Sequence, residues 1–287
     1  MDSKICLITG ANSGIGKEAA ILIAQQDYKV IIACRNPEKG NKALSVIKQR
    51  SGNDSVELKI VDMSLQESIE NLSKELHNEY ERIDVIIHNA AIFDLTQKER
   101  FITKEGIESV WATNHIGPVL FTKLILDLLK NSDNGRIITI SSKGLLAKPF
   151  LKINFSDPEL LSGKFNIVKA YYQSKLAQIM YSLWLSKELK DTKITVNSIR
   201  VPAVRIDISK YPNLSGLLKK IYKFKSRFSL SPVKMAETYK YLSTSEEVKN
   251  RSGEYFNEKN EIVKFSNYQK NWIEIEKLMK LTLKYLK

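Results

Sequence analysis

Cysteine is almost missing from this chain, with only Cys6 and Cys34 among 287 residues. Both lie in apolar, strand-like runs, which fits buried, reduced thiols in a cytoplasmic protein better than a disulfide framework. Histidine is nearly as scarce. His77, His88 and His115 show no metal-ligand spacing with one another or with the cysteines, so no metal is expected. No stretch reaches the roughly eighteen apolar residues of a membrane span. The N-terminus enters a strand-like segment at Lys4 with no basic region or cleavage site before it, so no secretory signal is expected either. Repeats, low-complexity tracts and long linkers are missing too, which favours one domain over residues 1–287. Acidic side chains run short, with 32 Asp and Glu against 45 Lys and Arg and a net charge of +13. The excess is scattered lysine, without a compact basic tract interleaved with aromatics. A solvated basic surface follows, and nucleic acid is not expected as a partner.

What the chain does have is hydrophobic residues, 43% of the total, enough for a substantial core. β-branched runs at Ile5–Thr9, Lys29–Ala33, Val56–Val61, Ile83–Ile87, Arg136–Ile140 and Ile194–Ile199 read as strands. Helical periodicity marks Ile15–Gln26, Pro37–Gln49, Leu65–Glu79, Glu105–Leu129 and Ala170–Leu189. Continuous apolar strands alternating with amphipathic helices predict an α/β fold with a parallel sheet covered on both faces. Beyond Asp207 come a basic stretch, Ser209–Pro232, a helix near Lys234–Ser243, a short strand around Gly253–Phe256 and a final helix from about Gln269. The tail Trp272–Leu286 has the spacing of a packed last helix, the alternative being a membrane-surface helix.

Directly after the first strand stands Thr9-Gly10-Ala11-Asn12-Ser13-Gly14-Ile15-Gly16, followed at once by a helix. Glycines let the backbone approach a pyrophosphate, and a helix N-terminus offers free N–H groups and a positive dipole end. A P-loop is excluded, because Ala11 stands where its first glycine would be and Glu18 follows Lys17. This segment resembles the TGxxxGxG fingerprint of the short-chain dehydrogenases/reductases. The resemblance runs from Lys4 to about Asp207 and thins in the last third. It implies a single Rossmann-type doubly wound parallel sheet of about seven strands, in the order 3-2-1-4-5-6-7, with helices on both faces. It also implies dinucleotide contacts from Gly10, Asn12, Ser13, Gly14, Ile15 and Gly16.

The end of the second strand, Cys34-Arg35-Asn36, carries no carboxylate to bind ribose hydroxyls and repel a 2′-phosphate. A guanidinium there suits phosphate, so NADP(H) is preferred over NAD(H), with Arg35 and Asn36 as contacts and Lys17 as a second cation. Arg35 as a plain surface arginine is the alternative. Asp62 and Met63 resemble the family's adenine-contacting pair, although Asp62 would equally cap the helix that follows. His88-Asn89-Ala90-Ala91 stands where the family has NNAG. Asn89 and Ala90 would then lie beside the cofactor, with His88 a benign departure.

Tyr171 and Lys175 are four apart, on one face of a predicted helix. A lysine charge about 5 Å from the phenol, at an effective dielectric near 20, would favour phenolate by roughly 3 kcal/mol, or about two pKa units. That brings tyrosine toward acid–base work at neutral pH. Such a pair is common by chance, and its weight comes from what precedes it. Arg136-Ile137-Ile138-Thr139-Ile140-Ser141-Ser142 matches the family's fifth strand, Ser142 aligning with its catalytic serine and Ser141 the nearest rival. Asn114, in Thr113-Asn114-His115-Ile116-Gly117, matches the asparagine that helps hold a proton-relay water, or else marks a helix kink. The resemblance thus implies Asn114, Ser142, Tyr171 and Lys175 as catalytic residues, with Tyr171 and Lys175 also on the cofactor ribose.

ACRNPEKG, TNHIGP, AYYQSKLA and a long stretch from Ser142 to Tyr171 resemble the retinol-dehydrogenase-like branch, implying a bulky, apolar carbonyl or alcohol substrate. One departure follows the sixth strand. Val201-Pro202-Ala203-Val204 replaces the usual Pro-Gly, and the threonine that contacts the nicotinamide is missing, leaving backbone contacts from Val204. Residues 208–245 fall where the family has its substrate-covering lid. Leu214, Leu217, Leu218, Ile221 and Phe224 would line a pocket there, or form an ordinary amphipathic helix; a lid that docks on membranes is a third form. Family members are often dimers or tetramers, so a homo-oligomer is compatible with the resemblance. The competing function is a non-catalytic NADP(H)-binding redox sensor or scaffold.

Overall fold

A computed structural model describes residues 3–205 and 229–286. Its centre is a seven-stranded, all-parallel sheet in the order β3-β2-β1-β4-β5-β6-β7. The strands are β1 Ile5–Thr9, β2 Lys29–Cys34, β3 Val56–Ile60, β4 Val85–His88, β5 Arg136–Ser142, β6 Thr195–Val201 and β7 Tyr255–Phe256. The helices are α1 Gly14–Ala24, α2 Pro37–Ser51, α3 Gln66–Glu79, α4 Ser109–Trp111, α5 Gly117–Leu124, α6 Leu126–Lys130, α7 Ile167–Glu188, α8 Pro232–Thr244 and α9 Trp272–Leu283. Successive side chains of a strand point to opposite faces, and here both faces are covered. Cys6, Ile8, Val30 and Ile32 join the core beneath α1 and α8, while Leu7, Ile31 and Ala33 join the core on the other face. That is why these strands read as unbroken apolar runs. Strand order reverses between β1 and β4, and a crevice opens there at the carboxyl edge.

One predicted element is divided. The periodicity of Glu105–Leu129 predicts a single helix, but regular structure begins only at Ser109, because Gly106 turns left-handed (φ +82°) and Glu108 caps α4. A π-helical turn, Ala112–Ile116, then joins α4 to α5, and a break at Ile125 separates α5 from α6. Such a turn inserts a residue and re-aims what it carries, here Asn114. The 208–245 segment is divided too. Residues 206–228, with the apolar positions expected of a lid, lie outside the described residues. Pro232–Thr244 forms α8, whose Met235, Ala236, Tyr239 and Leu242 pack into the core that α1 shares. Among the described residues no helix is long and apolar enough to cross a membrane, and no group of three or more His, Cys, Asp or Glu is placed to hold a metal.

Candidate active site

The crevice begins as backbone. Gly10 leaves β1 at φ +67°, a conformation that L side chains rarely adopt, and a Cβ there would stand 2.8 Å from Ala90 Cα. At Gly16, the first turn of α1 packs so closely that a Cβ would overlap the Asn89 amide and stand 3.1 Å from Ala11 Cα. Asn89 Nδ2 in turn donates to Thr9 O (2.9 Å) and Gly10 O (3.2 Å), and Ala90 N donates to Thr9 Oγ1 (3.0 Å). Asn89 thus steadies the glycine turn. His88 is buried, its Nε2 meeting Thr122 Oγ1 at 2.7 Å, and burial lowers its pKa to about 3, so the ring is neutral.

A groove of about 320 Å³ runs along this edge. Of the sequence-predicted cofactor residues, Gly10, Asn12, Ser13, Arg35, Asp62, Met63, Asn89 and Ala90 line it. Gly14, Ile15 and Gly16 lie just beyond, in the first turn of α1, with Gly14 at φ +60° and no atom within 4 Å of where its Cβ would be. Arg35 is 71% exposed at the rim, 3.6 Å from Asp62, so its guanidinium remains open to an anion. Asn36 caps α2 through Lys39 N (2.8 Å), and Lys17 lies 3.8 Å from Glu18. Asp62 does not cap α3, whose N-cap is Leu65; it closes a turn by accepting from Ser64 N (2.9 Å) and Ser64 Oγ (2.6 Å). The open, glycine-bordered approach at the N-terminus of α1 fits the phosphates of a dinucleotide. Val204 bridges Leu230, with Leu230 N donating to Ala203 O (3.0 Å) and Arg205 N to Leu230 O (2.9 Å). Among the described residues this ladder does not engage the N–H or C=O of Val204 itself.

The catalytic candidates converge next to this groove. Tyr171 and Lys175 lie in the second and third turns of α7, which Asn166 caps through Lys169 N (3.0 Å). Lys175 is buried. Its Nζ donates to Ile140 O (2.8 Å) and stands 5.7 Å from the Tyr171 ring centre. Ser142 ends β5 half-buried, accepts from Gly144 N (3.2 Å), and lies close enough to the Tyr171 phenol to favour its ionised form. Ser141 points the other way and donates to Lys175 O (3.1 Å), so Ser142 is the serine that faces the phenol. Asn114 is buried. Its Oδ1 accepts from Ile92 N (2.7 Å), and its Nδ2 donates to Ile92 O (3.1 Å) and Ser174 Oγ (3.0 Å). Ile92 lines the groove, so Asn114 links groove and α7.

The expectation that Lys175 draws the phenol toward neutral pH is corrected by this geometry. Desolvation dominates and raises the Tyr171 pKa above its ordinary value, with only Ser142 lowering it. Burial pulls Lys175 down to about 8, and its Nζ is engaged with a main-chain carbonyl. Sequence reasoning also missed Phe93, which stacks on Tyr171 with ring centres 4.0 Å apart and planes at 20°. Nothing in its local pattern marks it. Thr113, Ala91 and Ile92, likewise missed, also line the groove, beside Asn114 and Ala90 in the chain.

The family model described as short chain dehydrogenase matches residues 4–154, just over half of the chain. The chain belongs to the short-chain dehydrogenase/reductase family of oxidoreductases. Within it, the chain falls in the retinol-dehydrogenase-like branch. It is 33% identical over 256 residues to retinol dehydrogenase 13 of Homo sapiens, covering 88% of this chain and 76% of the relative. Retinol dehydrogenase 12 of Bos taurus is 34% identical over 272 residues, covering 94% and 79%. Among solved structures, an uncharacterized protein from Mycobacterium paratuberculosis superposes with a TM-score of 0.73 at 23% identity, covering 99% of this chain and 93% of that one. A short chain dehydrogenase of Shigella flexneri, solved in complex with NADP, gives 0.67 at 23% identity over 90% and 98%. At that identity the solved structures support the fold alone.

Proposed function

We propose that the chain is a single-domain, cytoplasmic, NADP(H)-dependent oxidoreductase that interconverts an apolar carbonyl compound and its alcohol. One observation carries the reading: the Tyr171 phenol, the Ser142 hydroxyl and the buried Lys175 ammonium gather at the carboxyl edge of the sheet, beside the glycine-bordered groove. In this reading Gly10, Asn12, Ser13, Gly14, Ile15 and Gly16 hold the pyrophosphate. Arg35 and Asn36 meet the 2′-phosphate, Asp62 and Met63 the adenine. Asn89 and Ala90 form the wall, and Val204 offers main-chain atoms to the carboxamide. Bound there, the nicotinamide supplies or accepts the hydride.

The chain's own residues manage the oxygen. Ser142 donates to the substrate oxygen and stabilises charge developing on it. Tyr171 gives that oxygen a proton in reduction and takes it back in oxidation. The raised Tyr171 pKa keeps the phenol protonated at neutral pH, which suits the reductive direction. Lys175 holds a positive charge next to the ring that must lose its proton. An apolar substrate is supported by Phe93 over the phenol and by Leu146 and Phe150, 62% and 92% exposed on the segment after β5. NADP(H) is supported by the open guanidinium of Arg35, and a reducing compartment by two unbridged, buried thiols. The altered Pro202-Ala203 run favours the second reading, a sensor that binds NADP(H) without turnover.

The test is NADPH oxidation over a panel of aliphatic, aromatic and steroid-like carbonyls, with Tyr171→Phe as the control. Turnover of at least one panel member by the wild type is expected, together with its loss in Tyr171→Phe at nearly unchanged NADPH affinity. NADPH binding without turnover on any member supports the sensor instead, and a Tyr171→Phe variant that still turns over removes the phenol from the chemistry.

A further inference from the structure

We propose that Thr282, on the C-terminal helix α9, is a positioning residue for the active centre, acting through His115 on Asn114. The inference rests on the catalytic reading above. A π-helical turn is a rare, poorly favoured conformation that needs outside support. This one carries Asn114, whose amide ties the segment after β4 to α7 at Ser174, and Ser174 Oγ donates in turn to Tyr171 O at 2.7 Å. A shift of the turn is therefore transmitted to the backbone of the catalytic tyrosine.

His115 is the next residue in that turn. Its ring is fully buried, 4.5 Å from that of Trp111, and its Nε2 stands 2.8 Å from Thr282 Oγ1. The Thr282 hydroxyl proton is already committed to Leu278 O at 2.9 Å. The hydroxyl oxygen must then accept, and His115 must donate from Nε2, which fixes the tautomer. Nδ1 is left without a proton and has no hydrogen-bond partner among the described residues. Burial lowers the His115 pKa to about 3, so the ring is neutral and no second proton ties it down. The Thr282 hydroxyl thus sets the orientation of the one polar ring in the turn. A valine would fill the same space and leave a buried N–H unpaired.

A second, independent contact shows the same dependence on the C-terminal segment. Glu108 caps α4 by accepting from Val110 N and Trp111 N, each at 3.0 Å. Its own N–H donates to Glu159 Oε2 at 2.6 Å, while Glu159 Oε1 accepts from the Tyr285 hydroxyl at 2.9 Å. The start of the helix and the π turn within it are both anchored to residues 282–285.

The experiment uses the full chain as wild type, Thr282→Val, Thr282→Ser, His115→Phe and Tyr171→Phe, with NADPH and the panel carbonyl that the wild type reduces fastest. Because small displacements of catalytic groups cost disproportionately in rate, Thr282→Val is expected to lower kcat about tenfold, with KM and NADPH Kd within about twofold of wild type. Thr282→Ser restores kcat to within about twofold, and His115→Phe, which keeps a ring but removes the donor, reproduces the loss. Backbone amides of residues 112–117 exchange hydrogen faster in Thr282→Val and His115→Phe than in wild type or Thr282→Ser, a readout that needs no turnover. Unchanged kcat and exchange in His115→Phe overturn the inference however Thr282→Val folds, as does a loss that serine fails to restore. Turnover retained by Tyr171→Phe sinks the catalytic reading itself, whereas its loss alongside unaffected 282 and 115 variants sinks only the positioning role.

Discussion

The two sides of the sheet's carboxyl edge are built from different materials. Between β1 and β4 the groove is mainly backbone: Gly10 turns with a positive φ, Gly16 admits close packing, and Asn89 braces main-chain carbonyls. At β5 and α7 the site is made of polar side chains, and the buried ones are held by groups distant in sequence. Lys175 Nζ is bound to Ile140 O, Asn114 to Ile92 and Ser174, and Gln173 accepts from Asn154 N at 3.0 Å while donating to Pro158 O at 2.7 Å. A backbone site depends on a few residues being small. A side-chain site depends on which residue stands at every position and on what orients it.

Substitutions can break that contrast or sharpen it. The largest effect is expected from Lys175→Met, which removes the buried charge from the side-chain region. kcat should fall by about 10²–10⁴-fold in steady-state NADPH oxidation, as for loss of acid–base machinery. Next comes Gly16→Val on the backbone side. Overlap with Asn89 and Ala11 should weaken NADPH binding by roughly a hundredfold in a fluorescence titration, since the turn cannot open without moving β4. Its counterpart is Gly52, left-handed at φ +70° but with open space where a Cβ would lie; Gly52→Ala should cost only about 1 kcal/mol in denaturant unfolding and leave NADPH binding alone. Arg35→Asp follows, raising KM for NADPH about tenfold or more while sparing NADH; an equal rise for both would detach Arg35 from the 2′-phosphate.

The smallest effect is a pH dependence, and its sign follows from the side-chain region. Lys175 carries its charge below about pH 8 and loses it above, because burial depresses its pKa from 10.5. The rate of carbonyl reduction should be level below pH 8 and decline as pH rises through it. Lys175→Arg, whose guanidinium stays charged, should move that decline upward. A profile that rises through pH 8 would show that the neutral amine is the working form.

The difference between the two regions also explains what was legible in the sequence. The strands, the glycine turn and the pair Tyr171 and Lys175 are contiguous or helically spaced, so local pattern reveals them, whereas the order of the strands and the place of Asn89 follow only from the family resemblance. The division of Glu105–Leu129 was not legible, because periodicity averages over a π turn and cannot see that Glu108 is held by Glu159, fifty-one residues away. The Tyr171 pKa is not legible for the same kind of reason. Spacing shows that two groups share a face but not that both are desolvated, or that the ammonium is already bonded to Ile140. Phe93, His115 and Thr282 acquire their roles only from tertiary contacts.

The central claim is that groove and catalytic side chains act on one bound pair of molecules, and isotope transfer tests it directly. NADPH carrying deuterium in both C4 positions of the nicotinamide should, with wild type and a carbonyl that is reduced, deliver one label to the carbinol carbon of the product, and Tyr171→Phe should deliver none. NADPH that binds tightly yet never passes its label to any carbonyl on the panel would contradict the account.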